Sequence, residues 1–349
     1  MKKLALFPMT RDQCAIARFS SLLQGYELVS LFIPPFLPFD GRDSNFLDKG
    51  QPTGMLLTHY SAEKLNMCDV LYIDYDDKYD LSLHKEVYEF AISQGKEVIL
   101  TRELTRKLGL DHFTPCSDNT NEKLFDITIP VVTVFSQGKN SDQFATELAL
   151  RQYFTDKGYR ISHIGSNEAS KFFNFVHVPK FLFDDSDAYM KIIRFNHYAK
   201  ALIDQEKPDL LIIGAPDTIM KYNNNVLNGL GVLPFIVSSA VKADVAIATA
   251  YYNKYEEQYF NSLSLYCHYR LGCPAQFVNI SNTKTIYNHD DPVQKLEYLT
   301  IDNTVVLQNI ETDLAHKDVN LFSAIDSESA KSVCSMVENV LAGYIQVAQ

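Results

Sequence analysis

Between Pro130 and Phe144 an apolar run, Val131-Val-Thr-Val-Phe135, breaks into Ser136-Gln-Gly-Lys-Asn-Ser-Asp142 and gives way to a helical pattern. A strand, a glycine-containing turn and a helix in that order form the βα unit of an α/β protein, which commits the neighbouring chain to a parallel sheet. The same outline fits a phosphate-cradling loop, in which backbone N–H groups and the positive end of the next helix surround an anion. The full signature, G-x-x-x-x-G-K-[ST], is incomplete here. Thr133 stands five positions before Gly138, and Asn140 follows Lys139.

The alternation recurs along the chain. Leu4–Met9, Glu27–Ile33, Asp69–Asp74 and Glu97–Leu100 read as strands, with helices over Gln13–Leu23 and Leu83–Ser93. Pro34–Gly54 is irregular. These patterns predict a Rossmann-like α/β domain over residues 1–122, with Cys116–Asp126 as a polar linker. A second α/β domain spans 123–349, with strands at Val131–Phe135, Arg160–Ile164, Leu210–Ile213, Val245–Ala248 and Gln276–Ile280. Its helices fall at Gln143–Thr155, Ala188–Asp204 and Tyr255–Tyr269. Runs such as Leu210-Leu-Ile-Ile213 are apolar without alternation, as in strands covered by helices on both faces. In the tail, Leu296–Thr300 and Thr304–Leu307 read as strands around Asp302-Asn303, then Leu321–Ile325 and a helix from Ser327 to Leu341. The apolar face of that helix reads as a core or dimer contact, or as the surface of a specific partner-binding helix. The expected fold class is α/β: a Rossmann-like N-terminal domain plus a degenerate P-loop NTPase-like parallel-sheet domain.

Charge and composition narrow the functional classes. A formal net charge of −11 argues against nucleic-acid binding through a general basic surface. No apolar stretch is long enough to span a membrane, and the N-terminus reads as a first strand rather than a secretory signal. The 6 cysteines are dispersed without a C-x-x-C, which suits a reducing cytoplasm and gives no structural zinc motif. The 349 residues include no Trp but 20 Tyr and 22 Phe.

Several residue sets carry candidate chemistry. Gln137, Gly138, Lys139, Asn140 and Ser141 form the candidate phosphate-binding loop, with Lys139 reaching phosphate and Ser141 offering an oxygen beside magnesium. Asp217, after the apolar strand Leu210–Ile213, suits either metal and water positioning or capping of the next helix. Asp184 and Asp185 are further candidates for positioning metal or water. His177 and Lys180 are candidates to face a ligand crevice, or to be structural. Cys14, at a helix start after Pro8-Met-Thr-Arg-Asp12, is a crevice candidate whose thiol pKa the helix dipole would lower. Cys267 and Cys273 read as two structural thiols, or as a redox or thioester-forming cysteine. The cluster Asp74-Tyr-Asp-Asp-Lys-Tyr-Asp80 reads as a solvated acidic loop, or a receiver of a cation or basic peptide.

Leu4-Ala-Leu-Phe-Pro8, Asp69-Val-Leu-Tyr-Ile73, Ser136-Gln-Gly-Lys139 and Ala243-Asp-Val-Ala-Ile-Ala248 resemble a clostridial family of maturation-system proteins for ribosomally made peptide natural products (RiPPs). The second domain also resembles P-loop proteins related to dethiobiotin synthetase: Gly138 and Lys139 match the central pair, whereas Asn140 replaces the hydroxyl residue. The first resemblance implies association with peptide maturation; the chain reads as an accessory protein that binds a precursor peptide, a partner protein or a phosphate-bearing ligand, and a homodimer is expected. The second implies an alternative, ATP-dependent activation of a carboxylate or amide, with ATP or GTP and Mg as cofactors. The catalytic residues remain open.

Overall fold

The structure is a computed structural model that describes residues 1–110, 122–256, 258–287, 296–312 and 318–347. The chain divides into two compact units, Met1–Cys116 with Lys171–Asn174, and Ser117–Ser170 with Phe175–Gln349. The part of the expected linker from Cys116 to Asn121 lies outside the described residues.

The first unit runs β1 (Lys2–Phe7), α1 (Cys14–Arg18), β2 (Tyr26–Ile33), α2 (Asn45–Asp48), β3 (Leu57–His59), α3 (Ala62–Leu65), β4 (Val70–Ile73), α4 (Leu81–Ser93), β5 (Glu97–Leu100) and α5 (Arg102–Lys107). Its strands lie in the order β3-β2-β1-β4-β5, and every pair is parallel. The chain builds β1 to β3 outward on one side, then returns to place β4 against the other edge of β1. A ligand crevice in an open α/β sheet opens at such a reversal, outside the carboxyl ends of the strands. Leu4, Leu6, Phe7, Val70, Leu71 and Ile73 are wholly buried, which explains their unbroken apolar runs.

The second unit runs β6 (Val131–Ser136), α6 (Gln143–Asp156), β7 (Ile161–Gly165), β8 (Val176–His177), α7 (Ala188–Glu206), β9 (Leu210–Thr218), α8 (Val232–Ala240), β10 (Val245–Ala250), α9 (Tyr259–Leu271), β11 (Ala275–Ile280), β12 (Thr283–Tyr287), β13 (Leu296–Thr300), α10 (Asn303–Thr312), β14 (Asn320–Phe322) and α11 (Ser327–Val347). The main sheet is parallel in the order β14-β11-β10-β6-β9-β7-β8. Here the reversal falls between β6 and β10. Helices pack two apolar layers on this sheet. One gathers Phe260, Leu263 and Cys267 of α9, the other Phe195 and Ala199 of α7 with Ile236 and Val237 of α8. The fold is α/β, with two open parallel sheets. Among the described residues no helix is long and apolar enough to cross a membrane.

Several elements differ from the sequence reading, among them α8, which it does not place, and α9, which it starts at Tyr255. Thr304–Leu307, expected as a strand, lies inside α10. The Asp302 carboxylate accepts from Thr304 N at 2.9 Å and from Thr304 Oγ1 at 2.7 Å, so Asp302-Asn303 opens a helix instead of a hairpin. The strand that pairs with β13 is β12, antiparallel. The expected helix over Gln13–Leu23 shortens to α1 and a 3₁₀ turn at Ser20–Leu22.

Candidate functional site: a clamped loop beside a tyrosine-lined cavity

β6 ends at Ser136 and α6 begins at Gln143, so the candidate phosphate loop is the intervening turn. The turn is bonded from within and from the two strands on its β10 side. Gln137 N donates to Thr249 O at 3.0 Å. Ser136 Oγ accepts from Gly138 N at 2.9 Å and lies 2.9 Å from Ser141 Oγ, which in turn lies 2.7 Å from Thr249 Oγ1. Three successive carbonyls then receive side-chain donors. Tyr251 Oη donates to Lys139 O at 2.9 Å, Ser281 Oγ to Asn140 O at 2.8 Å, and Asn279 Nδ2 to Ser141 O at 3.0 Å.

A phosphate cradle needs the opposite polarity, with N–H groups converging on an anion. Here oxygens of the turn face protein donors, and Ser136 and Ser141 are 3% and 1% exposed. The close fit explains Gly138: a Cβ there would lie 2.1 Å from Tyr251 Oη. Lys139 is exposed and stands four residues before α6, whereas a phosphate-loop lysine directly precedes the Ser/Thr at the helix start. Asp142 occupies the position directly before the helix, buried and left-handed at φ 64°. The next side chain, Gln143, turns back into the sheet, donating to Val134 O at 3.0 Å and Ala215 O at 2.7 Å.

Gln137 links this turn to a cavity of about 560 Å³ whose lining includes Tyr222, Tyr251, Tyr255, Tyr259, Lys221 and Lys254. Its position beside Gln137 and Tyr251 is the mouth of the reversal between β6 and β10, and its size suits a small ligand or a short peptide segment. Gln137 Oε1 accepts from Tyr251 N at 3.3 Å, and Gln137 Nε2 donates to Tyr259 Oη. Tyr255 Oη donates to Tyr251 O, and the Tyr255 and Tyr259 rings stack with centroids 4.1 Å apart. Burial raises the phenol pKa of both tyrosines, that of Tyr255 well above its usual value, so both remain neutral at physiological pH. Across the mouth, Tyr222 Oη lies 3.1 Å from Thr285 Oγ1 of β12. Such a wall offers flat apolar rings with polar edges, while Lys221, Lys254 and Glu256 supply charge.

The remaining candidates are dispersed. Asp217 is exposed near the end of β9, left-handed at φ 64°, with its carboxylate against Gly229; a Cβ on Gly229 would lie 1.9 Å from Asp217 Oδ2. That contact ties β9 to the turn leading into α8, whose own N-cap position is Gly231 with no side-chain cap. Asp184 holds the start of α7: it accepts from Ser186 N at 2.9 Å and pairs with Lys191 at 3.9 Å and Arg194 at 3.4 Å. Partial burial pushes its pKa up, but the Ser186 bonds and the two cations prevail and hold it below the usual value. Asp185 and Lys180 are exposed, and His177 lies on the edge strand β8. β9 and β7 separate β8 from β6, a span of about 14 Å at ~4.8 Å per strand. Among the described residues no His, Cys, Asp and Glu side chains group as metal ligands.

Cys14 requires a correction. Its thiol is wholly buried, within reach of Thr10 O at 3.5 Å and Ser44 O at 3.4 Å, and burial pushes its pKa well up rather than down. Desolvation outweighs any benefit from a helix as short as α1. Cys267 and Cys273 are likewise buried, with pKa values pushed up to about 12 and about 11.

Sequence reading missed a buried polar group beneath α6. Glu147 is fully buried against Gly214 of β9, where a Cβ would lie 2.1 Å from Glu147 Oε1. It accepts from Ser166 N at 3.1 Å and from Ser166 Oγ, and lies 3.2 Å from His163 Nε2. The His163 ring stacks on Phe175 at 3.9 Å. Burial raises the Glu147 pKa to about 8 despite the Ser166 bonds. Burial, helped by the charge of Arg151, drops His163 well below its usual value. The two therefore meet as neutral groups at pH 7. The only sequence signal was an acidic residue on the buried face of a helix.

The chain matches no family model, and no curated protein matches it. Among solved structures it is similar to a DUF1611 family protein from Anabaena variabilis, with a TM-score of 0.57 and 9% identity over 96% of this chain and 99% of that chain. That likeness shows the fold alone. A cobyrinic acid a,c-diamide synthase from Mycobacterium smegmatis, with bound ADP and magnesium, gives a TM-score of 0.34 at 9% identity over 60% of this chain and 94% of that chain. A pseudomurein peptide ligase type C from Methanothermus fervidus gives 0.28 at 11% identity over 84% and 46%. At those TM-scores neither carries an argument.

Proposed function

We propose that this protein is a cytosolic accessory protein in the maturation of a ribosomally synthesised peptide, and that it binds its ligand in the tyrosine-lined cavity while the neighbouring turn serves as scaffold. The observation that carries the reading is the occupied turn: its carbonyls are bonded by Tyr251, Ser281 and Asn279, and Asp142 stands directly before α6. A carboxylate there repels a triphosphate instead of neutralising it. The peptide context comes from the sequence resemblance, and the cavity supplies the chemistry a peptide would need. Stacked tyrosines accept apolar or proline side chains, and Gln137, Asn253 and Thr285 meet backbone amides. The net charge of −11 suits a basic precursor or partner.

Calorimetry on the full chain separates this reading from ATP-dependent activation. ATP and GTP, each with and without Mg²⁺, are expected to give no binding heat. Candidate precursor peptides are expected to bind, with affinity lost in Tyr259→Ala. Magnesium-dependent ATP consumption that a peptide stimulates and Lys139→Ala abolishes would replace the scaffold reading with the enzyme.

A further inference from the structure

Thr285 of β12 lines the tyrosine cavity, and the register of the ribbon β12–β13 fixes where its backbone points. Just before β12, Ile301 N donates to Asn282 O at 2.8 Å, so Asn282 and Ile301 form a hydrogen-bonded pair. The register then runs unbroken from Thr283–Thr300 to Tyr287–Leu296. Bonded and non-bonded pairs alternate in an antiparallel ladder. Lys284 and Ile286 therefore bond to β13, whereas Thr283, Thr285 and Tyr287 turn their N–H and C=O groups away from it. The chain beyond β10 agrees with that parity, because Tyr252 N donates to Thr283 O at 2.7 Å on this outer side.

Asn253 and Lys254, which follow Tyr252, line the cavity and do not continue that pairing. The next outward groups on the edge, the N–H and C=O of Thr285, take no hydrogen bond among the described residues. A backbone donor and acceptor thus stand ready at the cavity wall, spaced for exchange with an incoming strand. Charge selects what enters. The wall carries Lys221 and Lys254 against Glu256, a positive balance in a chain of net charge −11. Lys221 Nζ donates to Asn224 Oδ1 at 2.7 Å, and neither lysine is paired with a carboxylate among the described residues.

We propose that the cavity takes its peptide by strand addition. The segment lies extended against the outer edge of β12, exchanges backbone hydrogen bonds with Thr285, and brings an acidic side chain to Lys221 and Lys254. This inference rests on the reading of the cavity as a peptide site, and it adds the conformation of the segment, the edge it uses and its charge. The acidic residue is required of the seated segment alone; the rest of a precursor answers to the charge of the whole chain.

The test is calorimetric titration of the full chain with the acetylated and amidated hexapeptide Thr-Glu-Val-Tyr-Val-Thr and with its Glu→Lys analogue. Thr285→Pro removes the outward N–H and spares the ladder to β13, since proline is tolerated where a strand N–H faces away from its partner. Thr285→Val also loses the hydroxyl but keeps the N–H. The acidic peptide is expected to bind Thr285→Pro about ten-fold more weakly than Thr285→Val, the loss of one backbone hydrogen bond, and the lysine analogue to bind the parent about ten-fold more weakly still than the acidic peptide does. Hydrogen exchange of the Thr285 amide in the parent chain, followed by NMR, should slow at saturation, a readout that stands even where Thr285→Pro does not fold. Equal affinity of the two variants, or unchanged exchange at Thr285, would overturn strand addition, and equal binding of the lysine analogue would overturn the charge assignment. Precursor peptides that bind through Tyr259 while the acidic hexapeptide does not would sink strand addition and leave the cavity reading in place. Absence of binding by every peptide would sink both.

Discussion

If the turn after β6 is held shut by the tyrosine above it, Gly138 and Tyr251 must be energetically coupled. A Cβ at Gly138 would lie 2.1 Å from Tyr251 Oη and 3.2 Å from its Cζ. Gly138→Ala therefore expels the phenol or displaces the turn, an overpacking cost of about 1–3 kcal/mol, to which loss of the Tyr251–Lys139 bond adds about 1. Tyr251→Phe alone removes that bond and costs about 1 kcal/mol. In the double variant the 2.1 Å conflict is gone and the 3.2 Å contact needs only a small adjustment. The alanine should then cost much less than in the parent, with a coupling energy of about 1–2 kcal/mol. Any backbone penalty at φ 158° is common to both backgrounds and cancels in the cycle. The assay is urea unfolding of the four proteins followed by far-UV circular dichroism, compared through midpoints at constant slope. A single-variant loss of ~2 kcal/mol should also lower the melting temperature by about 4–8 °C for a unit of this size. Additivity within about 0.3 kcal/mol, or a Gly138→Ala variant as stable as the parent, would refute the clamp and restore an open loop.

Other outcomes follow from the buried groups. Because the folded pKa of Glu147 is raised to about 8 from 4.5, the folded state holds a proton that the unfolded chain has lost, so this group's stabilisation falls as pH rises between those values. His163, lowered from 6.5, contributes the opposite slope below 6.5; between about 6.5 and 8 the Glu147 slope stands alone, and Glu147→Gln should flatten stability measured by urea unfolding across that window. Gly229→Ala should cost about 1–3 kcal/mol in the same assay, since it combines φ 62° with a 1.9 Å approach to Asp217 Oδ2, and Asp217→Ala should relieve part of that loss. Cys14, Cys68, Cys267, Cys273 and Cys334 are buried and should react with a thiol reagent at pH 8 only as fast as the protein opens; labelling of any of them at the rate of a free thiol, identified by mass spectrometry, would contradict that burial.

What the sequence revealed and what it concealed divide along a physical line. Runs such as Leu210–Ile213 disclosed the parallel sheet because burial on both faces leaves no polar position in the strand. Gly138 and the polar turn were visible for a local reason, a strand handing over to a helix. The clamp was not visible, because Asn279 lies in β11 and Tyr251 and Ser281 directly follow β10 and β11, more than a hundred residues along the chain. Lys139 drew attention through its chemistry, yet the start of α6, which fixes the loop register, lies at Gln143. Thr304–Leu307 misled because β-branched Val305 and Val306 suit a strand, whereas the Asp302 side chain decides for a helix.

The tyrosine cavity has a practical consequence for spectroscopy. The chain contains no Trp, so Tyr259→Trp would introduce a solitary indole into the stacked wall, against a dark background at excitation wavelengths beyond tyrosine absorption. Its emission maximum would shift with hydration of the cavity, and quenching by acrylamide would measure how freely solutes enter. A molecule that enters the cavity beside the indole would change both signals at once, so occupancy could be followed in real time without labelling the ligand.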